Sequence, residues 1–290
     1  MVLNKVFCGL DTIHITITRP RSVISFLGEN AEPADKLFYG VLDILLGRNF
    51  VVQGGSKKFV NNGSEYVQSN SREILVQLRS THLMKYGRLK VGAILMFLND
   101  NGVKPKSKRT RKKGVKTERQ DVFYQITRLD FAVDYEARID LIKILSERVG
   151  YTHFFSGIHK DYYYRVIHDN KRTSKDKREH RFKELKLFNT GFELAIYNKK
   201  IEIAEQANGD KLQLYPSIYR DILIAPHRKL FRVELRLFRT RSIAFNHLSV
   251  DELFNLPAKE LSKFGKATQL LKRKNQKIVP STLFYQLFVI

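Results

Sequence analysis

The chain has 290 residues, and its 52 Lys and Arg against 29 Asp and Glu give a formal net charge of +23 at pH 7. A charge that large repels itself in a compact state, so it points to a polyanionic partner, nucleic acid ahead of an anionic membrane surface. One cysteine, Cys8, excludes an internal disulfide and a cysteine-rich metal site; no apolar run approaches the roughly 20 residues a bilayer span needs, and the start lacks a signal-peptide layout, so the chain reads as cytoplasmic.

The hydrophobic share of 43% is ordinary for a globular protein, and the 13 Tyr and 20 Phe suit base stacking as well as core packing. Asp11-Thr-Ile-His-Ile-Thr-Ile-Thr18 alternates polar and apolar residues, which predicts a half-buried strand with Ile13, Ile15 and Ile17 inward and His14 on the outer face. Asp35 is placed to cap a helix carrying Leu37, Val41, Ile44 and Leu45, with Gly47 as its stop. Phe50 to Gln53, Glu65 to Gln68 and Ile74 to Leu78 read as strands, the first two separated by turns at Gly54-Gly55 and Asn61-Asn62-Gly63. Leu89, Ala93, Leu95 and Phe97 predict a helix ending around Asn101-Gly102.

Lys104 to Arg119 is almost free of apolar residues. Lys108, Arg109, Arg111, Lys112 and Lys113 crowd it, and such a run suits a flexible arm on DNA phosphates, with a solvated loop as the alternative. In Ile126-Thr-Arg-Leu-Asp-Phe-Ala-Val-Asp-Tyr135 the residues Leu129, Phe131 and Val133 share one strand face, and Arg128, Asp130 and Asp134 the other. Two carboxylates on one face suit a divalent cation, since Mg²⁺ and Mn²⁺ favour oxygen ligands. A helix is expected from Ala137 to Val149. A second basic region interleaves aromatics, Tyr163 among them, with Arg172, Lys175 and further bases, a pattern suited to single-stranded nucleic acid.

Glu193-Leu-Ala-Ile-Tyr-Asn-Lys-Lys-Ile-Glu202 puts Glu193, Ala195, Tyr197 and Lys199 on one strand face. A phenol is a poor nucleophile at its free pKa and needs a cation beside it; Lys199 and Lys200 can supply that charge or bind phosphate. Phe231-Arg-Val-Glu-Leu-Arg-Leu-Phe238 is a third strand, with Arg232, Glu234 and Arg236 on one face. Ser249 and Glu252 form a capping box that opens a helix, and Leu261, Phe264, Thr268 and Leu271 suggest another. His-x-His, His-Glu-x-x-His and Gly-x-Ser-x-Gly motifs are absent. If the three polar strand faces converge, they place a tyrosine beside a carboxylate metal site in a basic cleft. That is chemistry for cutting a phosphodiester and holding its 5′-phosphate on Tyr197, leaving a free 3′-hydroxyl.

The order and wording of three strings, Arg128-Leu-Asp130-Phe-Ala-Val-Asp134, Ile196-Tyr197-Asn-Lys199 and Phe231-Arg232-Val-Glu234-Leu-Arg236, resemble the plasmid and phage replication initiation factor family often called Rep_trans. Asp11 before its strand fits as well. The family comprises rolling-circle initiators and related relaxases that nick one origin strand through a tyrosine with Mg²⁺ or Mn²⁺, using acidic residues where related nickases carry a histidine pair. The resemblance therefore implies Tyr197 as nucleophile and Asp130 and Glu234 as metal or active-site acids. For Asp134 the readings are a second ligand or a strand-end cap, and for Arg128, Arg232 and Arg236 a clamp on phosphate or neutralisation of the acids. Ala195 departs from the basic residue the family often carries two positions before the tyrosine, which shifts phosphate positioning to Lys199 and Lys200. A bacterial host and origin DNA, single-stranded at the nick, follow from it; a host helicase and a homodimer are compatible with the role. The competing readings are a basic repressor or structural DNA-binding protein, and a conjugative relaxase with the same chemistry.

The expected fold is α+β, like that of the HUH nickases. An antiparallel-rich central sheet with flanking helices fills residues 1–120 (with the basic linker) and a catalytic half, 121–245. A small C-terminal helical subdomain covers 246–290.

Overall fold

Period-two alternation sets the buried side of most strands, and the helices cover the sides it marks. In this computed structural model the described residues are 3–18, 32–45, 51–53, 58–61, 65–69, 73–106, 122–139, 141, 154–156, 163–169, 181–188, 191–206, 215, 217–274, 277–280 and 286–288. The fold is α+β, as expected. Among the described residues the strands are β1 (Asn4–Thr18), β2 (Val51–Gln53), β3 (Lys58–Asn61), β4 (Glu65–Ser69), β5 (Glu73–Arg79), β6 (Lys104–Pro105), β7 (Phe123–Ala137), β8 (Phe154–Ser156), β9 (Tyr163–Asp169), β10 (Arg181–Phe188), β11 (Phe192–Asn198), β12 (Lys229–Phe238), β13 (Thr268–Lys274) and β14 (Lys277–Pro280). The helices used below are α1 (Glu32–Leu45), α2 (Ser80–Asp100), α3 (Lys199–Gln206), α4 (Ser217–Ile224) and α5 (Val250–Ala267). Eleven strands join in the order β2-β3-β4-β5-β1-β7-β12-β11-β10-β9, with β6 added to β7 in parallel. The chain divides into two compact units, one of Leu10–Leu129 with Leu237–Phe254, the other of Met1–Gly9, Asp130–Arg236 and Asn255–Ile290.

In the first unit, Ile13, Ile15 and Ile17 of β1, Val67 of β4 and Ile74, Val76 and Leu78 of β5 are fully buried. Antiparallel pairing of β1 with β5 sets Ile13, Ile15 and Ile17 opposite Leu78, Val76 and Ile74. Phe38, Val41, Leu42 and Leu45 of α1 and Leu83, Val91, Ile94 and Leu98 of α2 supply the other half of this core. The α1 stripe is rotated from the expected one, since Leu37 and Ile44 are only half-buried, and α1 begins at Glu32 rather than at an Asp35 cap. The α2 stripe is rotated too: Leu89 stays 75% exposed, because the helix starts nine residues earlier, at Ser80, and turns Val91, Ile94 and Leu98 inward instead. At its end Gly102 takes φ +71, and the Val103 amide donates to the Leu98 carbonyl at 2.9 Å, closing a left-handed cap that favours glycine. Lys90 ties α2 to its surroundings, donating to the Leu45 carbonyl at 2.8 Å and to the buried Glu65 carboxylate at 2.9 Å.

In the second unit, Phe131, Val133 and Tyr135 of β7, Phe231, Val233 and Leu235 of β12, and Phe192, Leu194 and Ile196 of β11 are buried. Because neighbouring strand residues face opposite ways, the intervening Asp130, Asp134, Arg232, Glu234, Arg236, Glu193 and Tyr197 share the other side. Tyr197 pairs in register with Glu184 of β10, and Ala195 with Lys186.

Three expectations change here. Lys199 does not extend the tyrosine strand, because α3 begins at Lys199. The expected C-terminal pair of helices is one helix: α5 runs through Pro257 to Ala267, opened by Ser249, whose Oγ accepts the Glu252 amide at 3.2 Å while its own amide donates to the Glu252 carboxylate at 2.7 Å. From Thr268 the chain is a strand, because β13 finds backbone partners on both sides, β14 and β8, in a separate three-stranded sheet. The expected helix from Ala137 to Val149 lies outside the described residues, apart from β7's last residue, the bend after it and Leu141.

Candidate active site

Strand alternation on β7 and β12 supplies two acids of the second unit. Asp130 and Glu234 bring carboxylate oxygens to within 4.8 Å of each other, and both are buried, at 0% and 3% exposure. Carboxylates this close repel one another in a medium that screens poorly, and a divalent cation relieves that repulsion. The donor set is oxygen only, with no imidazole or thiolate in the group, which suits Mg²⁺ or Mn²⁺ rather than a softer ion.

Tyr197 stands at the edge of this group. Its hydroxyl donates to Glu234 Oε2 at 2.8 Å, and the ring is half-buried. Arg236 grips the same carboxylate from the other side, Nε to Oε1 at 2.7 Å and Nη2 to Oε2 at 3.1 Å, and its Nη1 donates to Glu193. Burial by itself pushes the Glu234 carboxyl up, but the bonds and charge of Arg236, the charge of Arg232 and the Tyr197 hydroxyl outweigh it and hold the group at about 2. Glu234 is therefore an anion that orients the phenol. Opposite Tyr197 on β10, Glu184 is governed by burial instead, which raises its carboxyl despite Lys186 and Arg236 nearby.

The remaining expected site residues are distributed as follows. Lys199 is 1% exposed; its ammonium bonds Glu202 at 2.9 Å and lies 5.9 Å from the Tyr197 ring centre, so its charge stays beside the phenol. Lys200 turns away and donates to the carbonyls of Ile222, Ala225 and Arg228 at 2.9, 2.6 and 3.0 Å, at the end of α4. Arg128 lies over the Phe238 ring, 5.8 Å from its centre. Asp134 does not join the acidic group. Its two oxygens accept from Arg232 at 2.6 and 2.7 Å and from the Tyr219 hydroxyl, and both partners of this ion pair are fully buried. Arg232, expected on DNA phosphate, is thus enclosed with Asp134. Arg236 is the one of the two β12 arginines at the tyrosine. Tyr163 takes a place on β9 opposite Phe188, and Lys108, Arg109, Arg111, Lys112, Lys113, Arg172 and Lys175 lie outside the described residues.

Sequence reasoning missed Tyr219, Glu184 and Lys186 as neighbours of these groups. Glu193 was legible as an acid on the tyrosine's face, but the arginine linking it to Glu234 comes from a strand 43 residues on.

No known family model matches the chain, and no curated protein does. A solved structure described as that of a rolling-circle replication initiator protein from Geobacillus stearothermophilus is similar in fold, with a TM-score of 0.52 over 99% of this chain and 96% of that one, at 14% identity. The two chains share a fold along nearly their whole length.

Proposed function

We propose that this chain is a rolling-circle replication initiator that nicks one DNA strand through Tyr197, leaving a 5′-phosphotyrosine and a free 3′-hydroxyl. The observation that carries the reading is the 2.8 Å bond from the Tyr197 hydroxyl to Glu234, a member of the buried acidic group. A phenol fixed at the rim of a carboxylate cluster is positioned to attack a phosphorus held there. The net charge of +23 supplies the attraction for DNA, and the fold shared with an initiator agrees.

In this reading Asp130 and Glu234 hold Mg²⁺ or Mn²⁺, which polarises a non-bridging phosphate oxygen when bound. Glu234 fixes the phenol's orientation, Arg236 fixes Glu234, and the Lys199 ammonium beside the ring favours the phenolate that forms during attack. The test is supercoiled DNA carrying the sequence around the chain's own gene, incubated with Mn²⁺ and either the unaltered protein or Tyr197→Phe. Nicked circles with covalently attached protein, lost in the variant, are expected. Tight binding without nicking in any divalent cation would make the chain a non-catalytic DNA-binding protein.

A further inference from the structure

We infer that Glu184 is the proton acceptor for Tyr197 in the cleavage step, a role that rests on the nicking reading above. Tyr197 lies on β11 between two carboxylate-bearing strands. On the β12 side is Glu234, and on the β10 side is Glu184, its register partner. Directly paired residues on antiparallel strands share a face, with Cβ atoms roughly 5 Å apart, so the Glu184 carboxylate reaches the phenol's neighbourhood without any backbone movement.

The two acids are built for different work. Both oxygens of Glu234 already accept hydrogen bonds from Arg236, and Oε2 also accepts the Tyr197 hydroxyl, so this carboxylate is committed to orienting its partners. Glu184 pairs with Lys186 Nζ at 3.3 Å, and its side chain is 16% exposed. Desolvation is the largest influence on it and raises its affinity for a proton; Lys186 and Arg236 oppose this and Glu193 reinforces it. Its register partner on β9 is the aliphatic Ile167. Of the two carboxylates that flank this nucleophile, the one already gripped by an arginine orients the phenol, and its counterpart in register on β10 accepts the proton.

The step balances as follows. The phenolic O–H bond breaks as the oxygen–phosphorus bond forms, and the proton passes to the Glu184 carboxylate. The bond from phosphorus to the 3′ oxygen breaks, and that oxygen takes a proton from water. On rejoining, the 3′-hydroxyl attacks phosphorus as its proton passes to water, the phosphorus–phenol oxygen bond breaks, and Glu184 returns its proton to the departing phenolate.

The experiment measures the single-turnover rate of protein–DNA adduct formation with Mn²⁺ against pH, for the unaltered protein, Glu184→Gln and Tyr197→Phe. General base removal costs about a hundred-fold or more. Glu184→Gln should lose at least that much in rate and lose the acid limb of the profile, while DNA binding and Mn²⁺ binding are unchanged. An adduct that depends on Tyr197 but forms at full rate, with an unaltered profile, in Glu184→Gln overturns the Glu184 assignment alone. No adduct from the unaltered protein overturns the nicking reading and this one with it. Should Glu184→Gln fail to fold, ¹³C NMR of the unaltered protein decides: the Glu184 carboxyl must titrate where the acid limb falls, and a mismatch overturns the assignment.

Discussion

The second unit holds two tyrosine–carboxylate–arginine sets built on the same strand, and they do opposite things. In one, Tyr219 and Arg232 enclose Asp134, and the arginine and carboxylate are both 0% exposed. In the other, Tyr197 and Arg236 hold Glu234, with Arg236 19% exposed and the phenol half-buried. The arginines are four residues apart on β12 and on the same side. What separates the sets is charge balance and access. Asp134 has its charge matched by one arginine and its lone pairs filled, so a cation gains nothing there. Glu234 shares its arginine with Glu193 and stands beside Asp130, which leaves that side rich in negative charge. The same three residue types thus make a structural brace in one place and, in the proposed function, the reactive centre in the other.

Exchanging tyrosine for phenylalanine in each set should separate them most widely. Tyr197→Phe should abolish adduct formation while leaving the melting temperature close to that of the unaltered protein. Tyr219→Phe should leave nicking in place and lower unfolding stability by about 1–3 kcal/mol, since the Asp134 carboxylate loses a buried donor. Denaturant titration and the plasmid assay, run side by side, read both.

The arginines should divide the same way. Arg232→Met leaves Asp134 buried without its counter-charge and should cost about 3–5 kcal/mol in chemical denaturation. Arg236→Met, at a partly open site, should cost less stability and disturb nicking more. Equal losses from the two would erase the contrast between brace and centre.

Cation binding sharpens it further. Asp130→Asn should weaken Mn²⁺ binding, followed by calorimetry or paramagnetic resonance, by about ten-fold or more, whereas a change at Asp134 that preserves the fold should not.

The smallest effect is at alkaline pH. Burial first, then the Asp134 charge, raises the Tyr219 phenol above its ordinary value near 10.0. The folded protein therefore keeps a proton that the unfolded chain releases. Stability from this group is whole below about pH 10 and declines as pH rises, by up to about 1.4 kcal/mol per pH unit. Tyr219→Phe should flatten that decline in melting curves taken from pH 9 to 11.

Much of the active strand geometry was legible in the sequence because period two is a local signal. Asp130, Tyr197 and Glu234 each announce a polar face within their own strings. Which carboxylate meets which arginine was not legible, because Asp134 and Arg232 are 98 residues apart and their pairing is decided by strand neighbours. From the string alone Asp134 looks as good a ligand as Asp130. Lys199 and Lys200 were read as strand residues because nothing in Tyr-Asn-Lys-Lys marks the helix start; the Asn198 side chain supplies it, accepting the Ile201 amide at 3.2 Å. The C-terminal hairpin reads as helix because Leu261 to Leu271 keeps helical spacing, and only pairing with β8 and β14 overrides it.

The place of β11 has a mechanical consequence. It is an interior strand, bonded to β12 on one side and β10 on the other, and Tyr197 is its penultimate residue. A DNA end joined to that tyrosine would load the strand at one tip, and a pull along its axis would be resisted in shear by two ladders of backbone bonds at once. Immediately after the tip, Lys200 anchors α3 to three carbonyls at the end of α4 and in the turn that leads to β12, so the load has a second path. In the proposed function, such an attachment point would hold a strand under tension while the rest of the DNA is unwound.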